Sequence, residues 1–324
     1  MTRPRVLITR RLAPEVMSWL DERCQLSVNE EDHPIGRERL LSEARGMDGL
    51  LTMLTDRVDD VVLDAAGERL RVVANYAVGY DNVDVAACER RGVVVTNTPD
   101  VLTDATADIA WTLILDASRR VTEGDRMVRA GKPWAWAPGF MLGREVTGKT
   151  LGVVGFGRIG QAVASRALGF NMPVVYSART RKPEVEERLS ARHVTVEQLL
   201  DEADVVSVHV SLSEKTRHMF GAEQFARMKP TSVLVNTARG PVIDEAALAA
   251  ALKSGEILAA GLDVYEDEPQ VHPDLLELEN VVLAPHLGSA TVETRTAMAR
   301  LAAENLVAVL EGREPATPVT GRQS

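Results

Sequence analysis

Short runs rich in Val, Leu and Ile alternate with segments of helical period along this 324-residue chain, and that alternation narrows the fold more than any single motif. The first strand-like series is Val6–Thr9, Gly49–Met53, Arg71–Asn75 and Val93–Asn97, with helical patterns near Pro14–Glu22, Asp59–Ala66 and Asp84–Arg90. The second is Leu151–Gly155, Pro173–Ser177, Val205–Val210, Ser232–Thr237, Ala259–Val264 and Val281–Ala284. Strand, helix, strand at this spacing reads as a parallel sheet covered by helices. Six such strands make a doubly wound sheet by themselves. The expected class is therefore α/β, with two doubly wound parallel-sheet domains. Between the series, Thr103–Ala130 carries Ala110, Leu113, Ile114 and Ala117 at helical spacing and reads as one bridging helix, followed by a Gly/Pro/Trp stretch over Gly131–Leu142. A last amphipathic helix, about Thr291–Glu311, precedes a polar tail.

The composition, 45% apolar and 26% charged, suffices for sizeable buried cores. Lys and Arg number 37 against 47 Asp and Glu, a net charge of −10, which disfavours nucleic acid and anionic membranes as partners. Any anionic ligand must be caught by local basic groups. Cys24 and Cys88 lie far apart and form neither a disulfide framework nor a metal-type spacing, so no metal is expected. No apolar run reaches transmembrane length and the N-terminus has no signal-peptide pattern, so a cytoplasmic protein is expected.

Leu151-Gly-Val-Val-Gly155-Phe-Gly157-Arg-Ile-Gly160 leads out of a strand through a G-x-G-x-x-G turn, and Gln161–Leu168 continues as a helix. Gly155, Gly157 and Gly160 permit a tight turn, close approach of backbone to a pyrophosphate, and close helix–strand packing, while the helix N-terminus offers N–H groups to phosphates. The three glycines alone would be a weak signal. With strand, glycines, helix and next strand in order they form a dinucleotide fingerprint rather than a merely tight turn. A strand that serves NAD should end in an acid that accepts from the ribose 2′-OH. Here it ends Ser177-Ala-Arg179-Thr180-Arg181-Lys182, and no Asp or Glu occurs from Gln161 to Pro183. Guanidinium and hydroxyl groups suit a 2′-phosphate that a carboxylate would repel. The pattern predicts NADP as the preferred cofactor, NAD being possible; its plain alternative is an exposed basic loop.

Three further residues sit near the ends of later strands, where open α/β sheets bind ligands. They are Arg239 before Gly240, Glu268 in Tyr265-Glu-Asp-Glu268-Pro, and His286 before Leu287-Gly288-Ser289. An arginine can clamp a carboxylate bidentately. A carboxylate beside a histidine favours imidazolium, and an imidazolium can deliver a proton to a carbonyl oxygen. By type and spacing alone, His286 could equally be a hydrogen-bonded structural group, Glu266 or Asp267 could replace Glu268, and Arg239 could cap a carbonyl.

Taken together, the residues carry a family resemblance. Asn75-Tyr-Ala-Val-Gly-Tyr-Asp-Asn82, Thr96-Asn-Thr-Pro-Asp-Val-Leu-Thr103, Val154–Gly160, Asn236-Thr-Ala-Arg-Gly240, Gly261-Leu-Asp-Val-Tyr-Glu-Asp-Glu-Pro269 and Ala284-Pro-His-Leu-Gly-Ser-Ala290 stand in order. Over nearly its whole length the chain resembles the D-isomer-specific 2-hydroxyacid dehydrogenases, and most their glyoxylate/hydroxypyruvate reductase branch. The resemblance implies that Arg239 binds the substrate carboxylate with the N–H groups of Val78 and Gly79, that Glu268 orients and charges His286, and that His286 donates the proton. Leu54 would wall the substrate site. Arg158 and Ile159 would meet the pyrophosphate, Ser177, Arg179, Thr180 and Arg181 would face the 2′-phosphate, and Ser211, Thr237, Asp263 and Gly288 would line the rest of the cofactor site. Many relatives carry proline where Ser211 stands. The resemblance also implies a flavodoxin-like substrate domain over 1–98 and 287–324 and a Rossmann cofactor domain over 99–286, where sequence alone would give two consecutive domains. It implies a homodimer built on the bridging helix and the loop after it, with Trp136 reaching the neighbouring subunit's substrate pocket; local packing of both Trp134 and Trp136 is the alternative. The activity implied is reduction of a small 2-oxo acid, glyoxylate or hydroxypyruvate. An NAD-linked phosphoglycerate or D-lactate dehydrogenase, or a nucleotide-sensing corepressor-like module, would be the other members to weigh. No acid follows the second strand of the cofactor series, and the sequence ends at Ser324 without an appended regulatory domain; both count against the first.

Overall fold

The computed structural model describes residues 3–319, in two compact units: Thr103–Ala290, and the described residues up to Leu102 together with those from Thr291. The crossings fall after residues 102 and 290, four positions beyond those expected at 98 and 286. The second shift has a visible cause. Leu287 and Gly288 are tied by their N–H groups to Asp263, and the Gly288 carbonyl accepts from Thr106, so the segment past His286 belongs to the cofactor-type unit.

In the first unit, β1 (Arg5–Ile8), β2 (Gln25–Val28), β3 (Gly49–Thr52), β4 (Val72–Asn75) and β5 (Val94–Thr96) run parallel in the order β2-β1-β3-β4-β5. That is the 2-1-3-4-5 order of flavodoxin-type sheets. Successive strand residues face opposite layers. Val6, Ile8, Val72 and Ala74 pack with Ala299, Ala303 and Leu306 of the helix Val292–Leu310, while Leu7, Leu50 and Val73 meet Leu40, Val62 and Ala87 on the other face. Pro318–Val319 adds an antiparallel edge strand on β5. The expected polar tail is thus partly strand, and residues 320–324 lie outside the described residues.

In the second unit, β6 (Leu151–Val154), β7 (Val174–Ser177), β8 (Ala191–His193), β9 (Val205–Val208), β10 (Val233–Asn236), β11 (Ala259–Leu262) and β12 (Val281–Leu283) are all parallel, in the order β12-β11-β10-β9-β6-β7-β8. This is the Rossmann arrangement 3-2-1-4-5-6 with one strand more, and its winding reverses between β6 and β9. The crevice outside the carboxyl ends there is the expected ligand site.

Three short strands escaped the sequence pattern. Gln25–Val28 and Ala191–His193 are sheet edges with little apolar material, and Pro318–Val319 is two residues long. The expected single helix over Thr103–Ala130 is two, Thr103–Arg119 and Val121–Arg129. Arg120 takes φ +58° between them, its N–H bonded to the Asp116 carbonyl, and the Asp116 carboxylate receives the Thr122 N–H at 2.7 Å. A side chain one turn back therefore ends the first helix and starts the next.

Candidate active site

The turn after β6 shows what each of its glycines is for. Gly155 takes φ +94°, and a Cβ there would lie 2.6 Å from the His209 carbonyl group. A Cβ on Gly160 would lie 2.2 Å from the Gly155 oxygen. Both are demanded by the fold. Gly157 is different, because a Cβ there would meet nothing within 4 Å. It stands as the N-cap of the helix Arg158–Ala167 and offers no side-chain cap to the leading N–H groups. Open space in front of uncapped N–H groups and a positive helix end is the donor set a pyrophosphate needs, so these residues fit a dinucleotide.

The loop after β7 is wired to this turn. Phe156 stacks on Tyr176 at 3.8 Å, both rings buried. The Tyr176 hydroxyl donates to Glu186 at 2.7 Å and accepts from the Lys182 N–H at 2.8 Å. Glu186 in turn receives Nε and Nη2 of Arg181 at 2.8–3.0 Å. Arg181 and Tyr176 together hold the Glu186 carboxyl below its ordinary range. The acid-free stretch thus ends three residues short of an acid, Glu186, that grips one edge of Arg181. Arg179 and Thr180 lie on the exposed part of the loop after Ser177. Ser211 follows β9, its carbonyl bonded to the Thr216 hydroxyl. Thr237, directly after β10, has a buried hydroxyl with no partner among the described residues, a polar atom suited to a ligand.

Arg239, Glu268 and His286 follow β10, β11 and β12 at this same sheet edge. His286 Nδ1 lies 2.8 Å from Glu268 Oε2, and the Tyr265 N–H donates to Glu268 Oε1 at 3.1 Å. The two side chains keep 28% and 30% of their surface, so one side of the pair stays open. Burial pushes the Glu268 carboxyl up, but the hydrogen bond and charge of His286, the Tyr265 N–H and the charge of Arg239 outweigh it and leave it below the usual carboxylate range. Arg239 donates Nη1 to the Ala238 carbonyl at 2.9 Å, and its own carbonyl accepts from Asn236. His286 takes φ +55°, a strained region for a non-glycine residue. Its backbone is held there by Asp263, which accepts from the Leu287 and Gly288 N–H groups at 2.6 and 2.8 Å. Burial leaves the Asp263 carboxyl above its ordinary range despite those donors and the His286 charge. Gly288 is buried, and a Cβ there would crowd Asp263 and Thr106 at 3.3–3.4 Å.

In the first unit, the turn after β4 has three successive carbonyls occupied. Ala77 O accepts from the Thr98 N–H at 2.9 Å, Val78 O from Asn97 Nδ2 at 2.8 Å, and Gly79 O from Asn75 Nδ2 at 3.0 Å. In a trans peptide N–H and C=O point oppositely. The N–H groups of Val78, Gly79 and Tyr80 are therefore turned to the other side, and they donate to no protein acceptor among the described residues. Asn82 bridges this turn to the loop carrying Leu54, donating to the carbonyls of Met53 and Asp56 at 3.1 and 2.9 Å. Leu54 itself is 37% exposed.

Asn75 and Asn97 belong to the motif segments, but their hydrogen bonds to these backbone groups, like the contact of Glu186 with Arg181, were not read from the sequence. In the segment after the second of the two helices, Trp134 packs near Phe140, with ring centroids 6.3 Å apart, whereas Trp136 is 83% exposed. Among the described residues no His, Cys, Asp and Glu cluster could hold a metal, and no helix is long and apolar enough to cross a membrane.

Known proteins resemble this chain over nearly its whole length. The family "D-isomer specific 2-hydroxyacid dehydrogenase, NAD binding domain" matches residues 111–288. A glyoxylate reductase of Thermococcus onnurineus is 51% identical over 322 residues, covering 98% of this chain and 96% of that protein. A crystal structure of a Thermus thermophilus protein superposes with a TM-score of 0.91 at 46% identity, over 98% of this chain and all of that one. An NADPH-dependent glyoxylate/hydroxypyruvate reductase from Sinorhizobium meliloti, solved with NADP and malonate, gives 0.85 at 35% identity, over 98% and 97% of the two chains.

Proposed function

Because the chain belongs to the D-isomer-specific 2-hydroxyacid dehydrogenase family of NAD(P)-dependent oxidoreductases, we propose that it reduces glyoxylate, and hydroxypyruvate beside it, with NADPH as the preferred reductant. The observation that carries this reading is the Glu268–His286 pair standing with Arg239 at the carboxyl edge of the dinucleotide-type sheet. Glyoxylate is the substrate named for the relative at 51% identity.

In this reading Arg239 and the N–H groups of Val78 and Gly79 receive the substrate carboxylate, which sets the face of the carbonyl that is attacked. A nicotinamide dinucleotide held at the turn of Gly155, Gly157 and Gly160 would supply the hydride that the carbonyl carbon receives. His286 spends Nδ1 on Glu268, so Nε2 is the atom that gives its proton to the carbonyl oxygen. Glu268 stays ionised into the acid range and stabilises the imidazolium that must be present before the transfer. Val121, Val128, Trp134, Trp136 and Leu142 are all more than half exposed within one 22-residue stretch, which supports a homodimer formed through it, with Trp136 at the neighbouring subunit's site.

Two measurements test the cofactor and carboxylate assignments. Initial rates with NADPH and NADH on glyoxylate, hydroxypyruvate and pyruvate are expected to favour NADPH. Arg179→Ala and Arg181→Ala should each raise KM for NADPH by about tenfold, the loss of one charge-assisted contact, and leave KM for NADH unchanged. A wild type that prefers NADH would sink the NADP assignment while leaving the rest standing. Asn97→Asp turns an acceptor toward the Val78 carbonyl and should loosen the N–H groups behind it. KM for glyoxylate is expected to rise about tenfold, the effect of roughly 1.4 kcal/mol, with the dissociation constant of NADPH unmoved. An unchanged KM would remove the Val78–Gly79 turn from the substrate site.

A further inference from the structure

Glu245 is a carboxylate that the proposed chemistry does not use, yet only 4% of the residue is exposed. It opens the helix Glu245–Ser254, whose N-terminal cap is already supplied by Asp244 through the Ala247 N–H. The oxygens of Glu245 go elsewhere. Oε1 accepts from the Glu266 N–H at 2.8 Å and Oε2 from the His272 N–H at 3.2 Å. Those two N–H groups bracket the segment that carries Glu268. Within the bracket, the Asp267 carbonyl accepts from the Gln270 N–H at 2.9 Å and closes a tight loop. Just before it, the Tyr265 N–H holds Glu268 Oε1, leaving Oε2 for His286.

We propose that Glu245 is a positioning residue for the reaction: by holding both ends of Glu266–His272 it fixes where Glu268 presents its carboxylate to His286. The inference rests on the reading of His286 as proton donor and Glu268 as its partner. Burial pushes the Glu245 carboxyl up, and its two N–H donors reverse this only in part. A buried acid with both oxygens spent on one loop has no solvent role to explain it. The ionisable groups around the relay are Asp263, Arg239 and Tyr265 beside Glu268 and His286, and Glu266 and His272 beside Glu245, with His218 paired to Glu266.

The test uses the full-length enzyme and compares Glu245→Gln, Glu245→Asp and Glu268→Gln in pH profiles of kcat/KM for glyoxylate reduction. Gln accepts from one N–H and points an NH2 at the other; Asp keeps the charge on an arm too short to reach both. Both Glu245 variants are expected to lose activity, Gln by about a hundredfold, the cost of roughly 1 Å of misplacement. Both should move the high-pH limb to lower pH, the direction in which Glu268→Gln moves it, Asp by less than Gln. NADPH affinity by fluorescence titration should stay within about twofold of wild type, since Glu245 touches no part of the glycine turn. A limb left in place by both Glu245 variants, while Glu268→Gln shifts it, would make Glu245 a structural staple only and overturn the proposal. A shift with Gln but none with Asp would assign the effect to charge and overturn it as well. If Glu268→Gln leaves the limb where it was, the Glu268–His286 reading itself fails, and the proposal falls with it. Should Glu245→Gln not fold, Glu245→Asp alone carries the comparison.

Discussion

Replacing His286 by asparagine is expected to lower kcat for glyoxylate reduction by about 10²–10⁴, the usual contribution of a positioned general acid, while NADPH still binds with nearly wild-type affinity. Asparagine preserves a hydrogen bond to Glu268 but carries no transferable proton at the position of Nε2. The loss should therefore fall on kcat more than on KM, because the substitution leaves the proposed carboxylate donor Arg239 in place. The pH dependence follows from the same pair. Reduction consumes the proton proposed to sit on His286, so kcat/KM is expected to fall toward high pH. On the acid side the Glu268 carboxyl is held below its ordinary range by His286, Tyr265 and Arg239 against the opposing pull of burial. Loss from protonating Glu268 should then begin only at the acid edge of the ordinary glutamate region. A His286→Asn enzyme within fivefold of wild type would remove the proton-donor assignment, and an acid limb well above the carboxylate region would remove Glu268 from its partnership.

How much of this could be read from the chain alone depends on where each residue acts. Arg239, Glu268 and His286 stand out as candidates because their chemistry is in the side chain and each follows a strand, although type and spacing alone left Glu266 and Asp267 open beside Glu268. The glycine turn was legible as a motif, although only the structure separates Gly155 and Gly160, which the fold requires, from Gly157, which faces open space. Glu245 left no such trace, and Asn75 and Asn97 stood inside motif segments without showing what they do. They act on backbone N–H and C=O groups, which every residue but proline carries in full, so nothing at the receiving end marks the partner. Glu186 was missed for a related reason. The stretch without acids was read in sequence, while the carboxylate that meets Arg181 comes from the helix that follows. The two-sheet architecture was plain from the βα alternation, and its misses were edge strands and the break at Arg120, where short-range pairing decides the outcome.

Gly240→Ala and Gly157→Ala are expected to fail in opposite ways, and the contrast tests the site more sharply than either alone. A Cβ on Gly240 would sit 1.8 Å from the Tyr265 carbonyl carbon, 1.9 Å from its oxygen and 2.4 Å from the Glu266 nitrogen. These are backbone atoms and cannot swing aside as a flexible side-chain tip could. The peptide that must move is the one whose flanking N–H groups hold Glu268 Oε1 and Glu245 Oε1. Overpacking of this kind costs about 1–3 kcal/mol or more, which for a unit the size of Thr103–Ala290 lowers Tm by about 2–4 °C for each kcal/mol. Activity should fall about a hundredfold beyond that, since Glu268 and Arg239 are displaced together. Gly157 has φ −75° and ψ −164°, a conformation alanine adopts freely, with no atom within 4 Å of the new Cβ. Its alanine variant should keep wild-type Tm or gain slightly from a stiffer unfolded chain, by about 0.4–1 kcal/mol. Yet KM for NADPH should rise at least about tenfold, because the methyl group fills the space in front of the helix N-terminus where phosphates would lie. Differential scanning fluorimetry and NADPH titration read both effects in one preparation. A Gly157→Ala protein with unchanged cofactor affinity would mean the open space serves no dinucleotide, and a Gly240→Ala protein of normal Tm and rate would mean the Tyr265–Glu268 loop does not depend on close packing against Arg239's neighbour.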